Sequence, residues 1–135
     1  MKKKYEIKKM YYKNSDHYFL VIHMIPEMLN IDYFLNSDYI KMGEEGQKWY
    51  LDGVKDVLDG KKNTIVREGD IVKLTINKNI TKVRYILHEN LDISLQEIKE
   101  GSNYKLEDII DTKELYNIMV MWSEELKLDK AKQVI

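Results

Sequence analysis

Three histidines, one acid–lysine pair and one glycine-flanked pair of acids are the residues of this chain whose types and spacing could do chemistry. His17 and His23 are separated by an even number, so on a strand they share a face. At about 3.3 Å per residue they lie roughly 20 Å apart, too far for one metal ion to bridge. His88 sits beside a turn signal, and no His-x-His or His-x-x-x-His spacing occurs. All three read as surface or hydrogen-bonded core histidines rather than ligands. "QEIKE" sets Glu97 and Lys99 on one strand face, as in metal-dependent nucleases with an (Asp/Glu)-x-Lys strand. Such sites need another aspartate to complete the Mg²⁺ shell. Asp92, five residues away on the same strand, faces the other way, and no Pro-Asp precedes it. "GEEG" (43–46) has the outline of the backbone-clamping loop of RNA-binding KH domains. Glu44 and Glu45 at its tip repel phosphate but suit the positive end of a helix. No phosphate-cradling glycine motif, no Gly-x-Ser-x-Gly and no cysteine is present. The expectation is therefore no catalytic residue, no metal site and no cofactor. A small metal-dependent nuclease or hydrolase is kept as an alternative.

Charge is laid out more informatively than chemistry. Residues 1–13 carry six lysines and one acid, residues 27–59 eight acids and three lysines, and residues 89–114 again eight acids and three lysines. The chain's total of -1 thus hides one basic and two acidic stretches. Solvated faces intermixed by the fold account for this as well as an acidic docking face does. The net charge and a pI near 6.3 argue against a general nucleic-acid binder. In the functional reading the acidic stretch meets a basic protein partner and steers its approach. Its candidates are Asp32, Asp38, Glu44, Glu45, Asp52 and Asp56, with Tyr33, Phe34 and Tyr39 as aromatic anchors among them; in the competing reading the same aromatics face the domain's own core.

The elements that must position these residues follow from periodicity. The 135 residues are the length of one domain, and 44% hydrophobic content is enough for one core. "KYEIKKMYY" (4–12) and "HYFLVIHMI" (17–25) are strand-like runs joined by the turn "KNSD", the second apolar on both faces like an interior strand and ended by Pro26. Residues 27–42 are ambiguous. "EEGQKWYLDGVKDVLDG" (44–60) is a helix with Gly60 past its end, weakened by Gly46 and Gly53 by roughly 1 kcal/mol each. Residues 63–68, 71–77, 80–88 and 91–98 alternate with period two and form an antiparallel meander. Val72, Leu74, Ile76, Val83, Tyr85 and Leu87 point inward. "YKLEDII" leads into a final helix over 112–127, capped by Asp111 with Glu114 in the capping-box position. Its face Leu115, Ile118, Met119, Trp122 and Leu126 is core, so Trp122 should be buried. Tyr116 and Val120 are expected to pack on the 44–58 helix, and Met121 is left for a surface contact.

The predicted fold is a single α+β domain over residues 1–135. It has a mainly antiparallel sheet of five to six strands and two main helices packed mostly on one face, with residues 128–135 as a frayed tail. The basic start "MKKKYEIKK" leads into an apolar run of eight residues without a small-residue cleavage site. No signal peptide or membrane span is expected, which makes the chain cytoplasmic.

The meander strands "DIVKLTI", "TKVRYIL" and "LDISLQEI", followed by "YKLEDIIDTKELYNIMVMWSEEL", resemble the small single-domain immunity proteins of bacterial polymorphic-toxin and contact-dependent inhibition systems. Those chains often end in strands followed by an E-L-x-x-x-x-x-x-W-like helix, matched here by Glu114, Leu115 and Trp122. The resemblance covers about residues 63–127. It implies a cytoplasmic toxin inhibitor that binds a cognate toxin, often a basic nuclease domain, by protein–protein interaction. Family members diverge too far for site residues to be carried over by position. A non-catalytic accessory domain with another partner is the first alternative.

Overall fold

The computed structural model describes residues 4–87 and 106–133. Its first elements are the two strands of a hairpin, β1 (Lys4–Tyr11) and β2 (Tyr18–Ile25), paired antiparallel from Lys4 opposite Ile25 to Tyr11 opposite Tyr18. Asn14, in the tight turn between them, adopts a positive φ of 57°, a conformation asparagine tolerates better than most residues. This hairpin stands apart from the main sheet, so among the described residues the expected single sheet of five to six strands is a two-stranded and a four-stranded sheet. Nor is β2 an interior strand. Ile22 and Met24 are buried, whereas Phe19, His23 and Ile25 on its other face are exposed.

Residues 29–41, ambiguous in sequence, form a third helical element, α1. Leu29–Tyr33 runs without interruption through a wider π-type turn at Phe34–Asp38 into Tyr39–Lys41. Asn30, Ile31, Asp32, Phe34, Leu35, Asp38 and Tyr39 are all buried, so α1 lies inside the protein rather than on it. Gly43, at φ 67°, turns the chain into α2 (Gly43–Leu58), which ends at Asp59 and Gly60, φ 81°, as a left-handed glycine after a helix should.

The meander follows as β3 (Thr64–Glu68), β4 (Val72–Asn77) and β5 (Ile80–Tyr85). The fourth strand of the sheet is β6 (Glu107–Asp111), which the sequence suggested as a lead-in to the last helix. It pairs antiparallel with β5, giving the order β3-β4-β5-β6. The expected strand at 91–98 falls outside the described residues. Val72, Leu74, Ile76, Val83 and Ile110 are buried on one face, while Lys73, Lys82, Arg84 and Glu107 belong to the other, less buried one.

The last helix, α3 (Thr112–Gln133), starts where expected and extends six residues beyond the expected end at 127. Asp111 caps it, accepting the Glu114 N–H at 2.9 Å. Leu115, Ile118, Met119 and Trp122 are buried. The Trp122 indole N–H donates to the Leu35 carbonyl at 2.8 Å, fastening α3 to α1. Tyr116 turns toward α2, and Met121 is half-buried against the core rather than left on the surface. Among the described residues, α1, α2 and α3 all contact the inner face of the four-stranded sheet. Among the described residues no helix is long and apolar enough to cross a membrane.

Candidate protein-binding face

The aspartates of the acidic stretch divide into two groups. Asp32 and Asp38 point inward and fasten α1 to other elements. Asp32 Oδ1 accepts the Met24 N–H at 2.8 Å, and its other oxygen lies 3.4 Å from His23 Nδ1. Burial pushes the Asp32 carboxyl above the usual aspartate value, against the lowering pull of Met24 and His23. Asp38 accepts the N–H groups of Asp70 at 3.1 Å, Ile71 at 3.0 Å and Val72 at 2.9 Å, closing the turn before β4. Gly69 is required beside it, because a Cβ there would come within 2.3–2.9 Å of the carboxylate. A third buried acid, Asp108 of β6, accepts the N–H groups at the start of α1, from Asn30 at 2.8 Å and Ile31 at 3.4 Å.

The expected aromatic anchors are enclosed as well. Tyr39 is fully buried, its hydroxyl 2.6 Å from Ser123 Oγ, and Phe34 packs edge-on against Tyr50 with ring centroids 4.9 Å apart. Burial raises both tyrosine phenols to about 12; a nearby Asp38 adds to the effect at Tyr50. Tyr33 is half-buried beside Tyr85. Phe34 and Tyr39 therefore face the chain's own core, as the competing reading had them, and the expected place of Asp32 and Asp38 on an exposed face is corrected: Asp32, Asp38 and Tyr39 satisfy buried backbone and hydroxyl groups.

Glu44, Glu45 and Asp52 remain exposed on α2, with Asp56 half-buried. At 100° per residue, Glu45, Asp52 and Asp56 fall within about 60° of Trp49 on the helix surface. Trp49 itself is 46% exposed. The Arg67 guanidinium from β3 stacks over its ring at 4.5 Å and reaches its carbonyl through Nε at 3.4 Å. Gly53 lies directly beneath the guanidinium. A Cβ there would meet the guanidinium at 3.0–3.2 Å, so the glycine that weakens the helix also leaves room for the arginine. Met42, 71% exposed, continues the stripe toward a shallow cleft lined by Lys41, Gly46, Glu68 and Asp70. Together these residues make an exposed tryptophan, arginine and methionine patch rimmed by carboxylates.

Two neighbouring lysines moderate the charge. Lys48 bonds Asp52 at 2.8 Å, and Lys41 pairs with Asp70. Glu44 lies on the other flank of α2, 3.9 Å from Lys127 of α3, across a groove of about 300 Å³ that Tyr116 and Leu51 also line. The stripe therefore gathers Glu45, Asp52 and Asp56 but not Glu44. Sequence reading missed Trp49, although its signal was present: it is out of phase with the apolar stripe Tyr50, Val54 and Val57, and a tryptophan off the core face of an amphipathic helix is an exposed one.

Among the described residues no group of three or more histidines or acids could hold a metal ion. Glu97, Lys99, Asp92 and His88 lie outside those residues. Comparison with protein-family models, with curated proteins and with solved structures finds no match for this chain.

Proposed function

We propose that this chain is a non-catalytic binding protein of the immunity type, acting in the cytoplasm to neutralise a cognate toxin with a basic, nuclease-like domain. The observation that carries the reading is the α2 stripe, where Trp49 stands exposed among Glu45, Asp52 and Asp56 with Arg67 stacked upon it. Tryptophan and arginine are among the residues in which interface hot spots are enriched, and methionine is enriched in interfaces generally. A carboxylate rim complements the basic groove with which a nuclease holds nucleic acid, and it accelerates encounter with such a surface.

The test pairs growth with kinetics. Co-expression of this chain should restore growth to cells arrested by the nuclease domain of a large toxin encoded beside it. In association measurements with that domain, Trp49→Ala should weaken binding by at least about 2 kcal/mol, mainly through dissociation. Reversal of Glu45 and Asp52 to lysine should slow association and flatten its salt dependence. The charge reversals should leave folding stability within about 1 kcal/mol, because Glu45 and Asp52 are exposed, whereas Trp49→Ala also removes the ring's contacts with Arg67 and Tyr50 and should cost about 1–3 kcal/mol. Association indifferent to salt, to Trp49→Ala and to the reversals would remove the α2 stripe as the docking face. Binding without protection from arrest would favour the accessory-domain reading.

A further inference from the structure

We propose that β1 is an interface strand: two copies of this chain pair antiparallel along it about a two-fold axis at Ile7, joining their hairpins into one four-stranded sheet. The direction of the main-chain groups comes first. Tyr12 donates its N–H to the His17 carbonyl at 2.9 Å, in the same register that pairs β1 with β2. Hydrogen-bonded and non-bonded pairs alternate along an antiparallel ladder, so Lys4, Glu6, Lys8 and Met10 bond across to β2. The N–H and C=O groups of Tyr5, Ile7 and Lys9 then point outward from the hairpin.

The opposite edge verifies this phase. Ile22 and Met24, opposite Ile7 and Tyr5, should also point outward, and they do. The Ile22 N–H reaches Asn36 Oδ1 at 2.9 Å, its carbonyl accepts from Asn36 Nδ2 at 2.8 Å, and the Met24 N–H reaches Asp32. Side chains of α1 thus close the β2 edge. Among the described residues the β1 edge has no such hydrogen-bonded cover, although the end of α3, with Glu125, Leu128 and Lys132, borders Ile7 and Lys9 across a shallow pocket. Among the described residues nothing bonds the outward groups of Tyr5, Ile7 and Lys9, and β1 is exposed along almost its whole length.

Lysines on an open edge usually guard against pairing, so the choice of occupant rests on register. A second β1 must set outward residues opposite outward residues. With the two-fold at Ile7, Ile7 faces Ile7 of the second copy, Tyr5 faces Lys9, Glu6 faces Lys8 and Lys4 faces Met10, and every pair occurs twice apart from the one on the axis. Opposite charges then meet on one face, and an aromatic ring meets an ammonium on the other. Sliding to the next allowed register in one direction sets Glu6 against Glu6, and in the other Lys8 against Lys8. The strand's charge pattern therefore fits a copy of itself in one alignment and repels the adjacent ones, which is how a strand specifies register. Pairing also brings the exposed side chains Met10, Phe19 and Ile25 of each hairpin into one larger sheet.

Sedimentation equilibrium of the full chain should show a concentration-dependent dimer. Glu6→Lys and Lys8→Glu each make both charge pairs repulsive and should weaken the dimer about tenfold, the scale of two cross-strand pairs. Their equimolar mixture restores complementarity, because lysines at 6 and 8 of one chain face glutamates at 8 and 6 of the other. The mixture should therefore recover a dimer that neither variant forms as well alone. Both side chains are about half exposed, so the variants should fold, which circular dichroism checks. Amide exchange at Ile7 and Lys9 of the unaltered chain should slow as concentration rises. A monomer at every concentration up to the solubility limit, or a dimer unmoved by both single reversals, would overturn the proposal.

Discussion

Replacing Asp38 by alanine separates a structural carboxylate from a docking one. In the structure its two oxygens accept three backbone N–H groups, from Asp70, Ile71 and Val72. Asp70 is exposed, and water can take over its N–H. Ile71 is half-buried and Val72 fully buried, so these two donors are left without partners. Each unpaired buried donor costs about 1–3 kcal/mol, which puts Asp38→Ala at roughly 2–6 kcal/mol. That is a large share of the 5–15 kcal/mol typical of a domain. The Ile71 and Val72 N–H groups both reach Oδ2, so Asp38→Asn, with its one acceptor oxygen turned to that place, should lose less than the alanine variant. Urea unfolding followed by circular dichroism measures both, with Glu45→Ala as an exposed control within about 0.5 kcal/mol of the unaltered protein. A loss below about 1 kcal/mol for Asp38→Ala would refute the clamp and return Asp38 to the list of interface candidates.

Trp122→Ala should cost about 3–5 kcal/mol in the same assay, since the largest fully buried side chain is removed. Trp122→Phe should cost about 1–3 kcal/mol through the unpaired Leu35 carbonyl, and a neutral result would mean that the indole bond contributes nothing. Stability should also fall between about pH 10 and 12. There the unfolded chain ionises Tyr39 and Tyr50, while the fold, which raises both phenols to about 12, holds their protons. The slope is about 1.4 kcal/mol per pH unit for each tyrosine, and Tyr39→Phe should remove about half of it; urea midpoints flat across this range would contradict the burial argument.

The meander from Thr64 to Tyr85 was legible because alternation with period two survives folding directly: Val72, Leu74 and Ile76 are inward in both readings. The α2 boundaries and the Asp111 cap were legible for a similar reason, being set by residues within a few positions of one another. What failed was non-local. Asp32 and Asp38 look like surface residues until Met24 and the turn before β4 are brought to them. Residues 29–41 therefore showed no apolar stripe, since part of their buried surface is polar. β2 looked apolar on both faces, and only the fold shows that Phe19 and Ile25 stay outside. β6 is five residues long and owes its place to the register with β5. In the acidic stretch, Glu44, Glu45 and Asp52 are exposed as expected, whereas Phe34 and Tyr39 are enclosed and the exposed aromatic residue of α2 is Trp49, which the sequence reading passed over.

The bonds around α1 also impose an order in time. Its first N–H groups rest on Asp108, 78 residues downstream, the Tyr39 hydroxyl meets Ser123 after 84, and the Leu35 carbonyl receives the Trp122 indole after 87. A ribosome adding about 5–20 residues per second needs roughly 5–20 seconds to bridge such an interval. Until then Asp32 and Asn36 can already bond the β2 edge, but the first N–H groups of α1, the Tyr39 hydroxyl and the Leu35 carbonyl have only water to bond. The first half of the sequence cannot complete its own structure during synthesis; it waits for the last helix to leave the ribosome, and a chain truncated before Trp122 would lose the organisation of its N-terminal third along with its end.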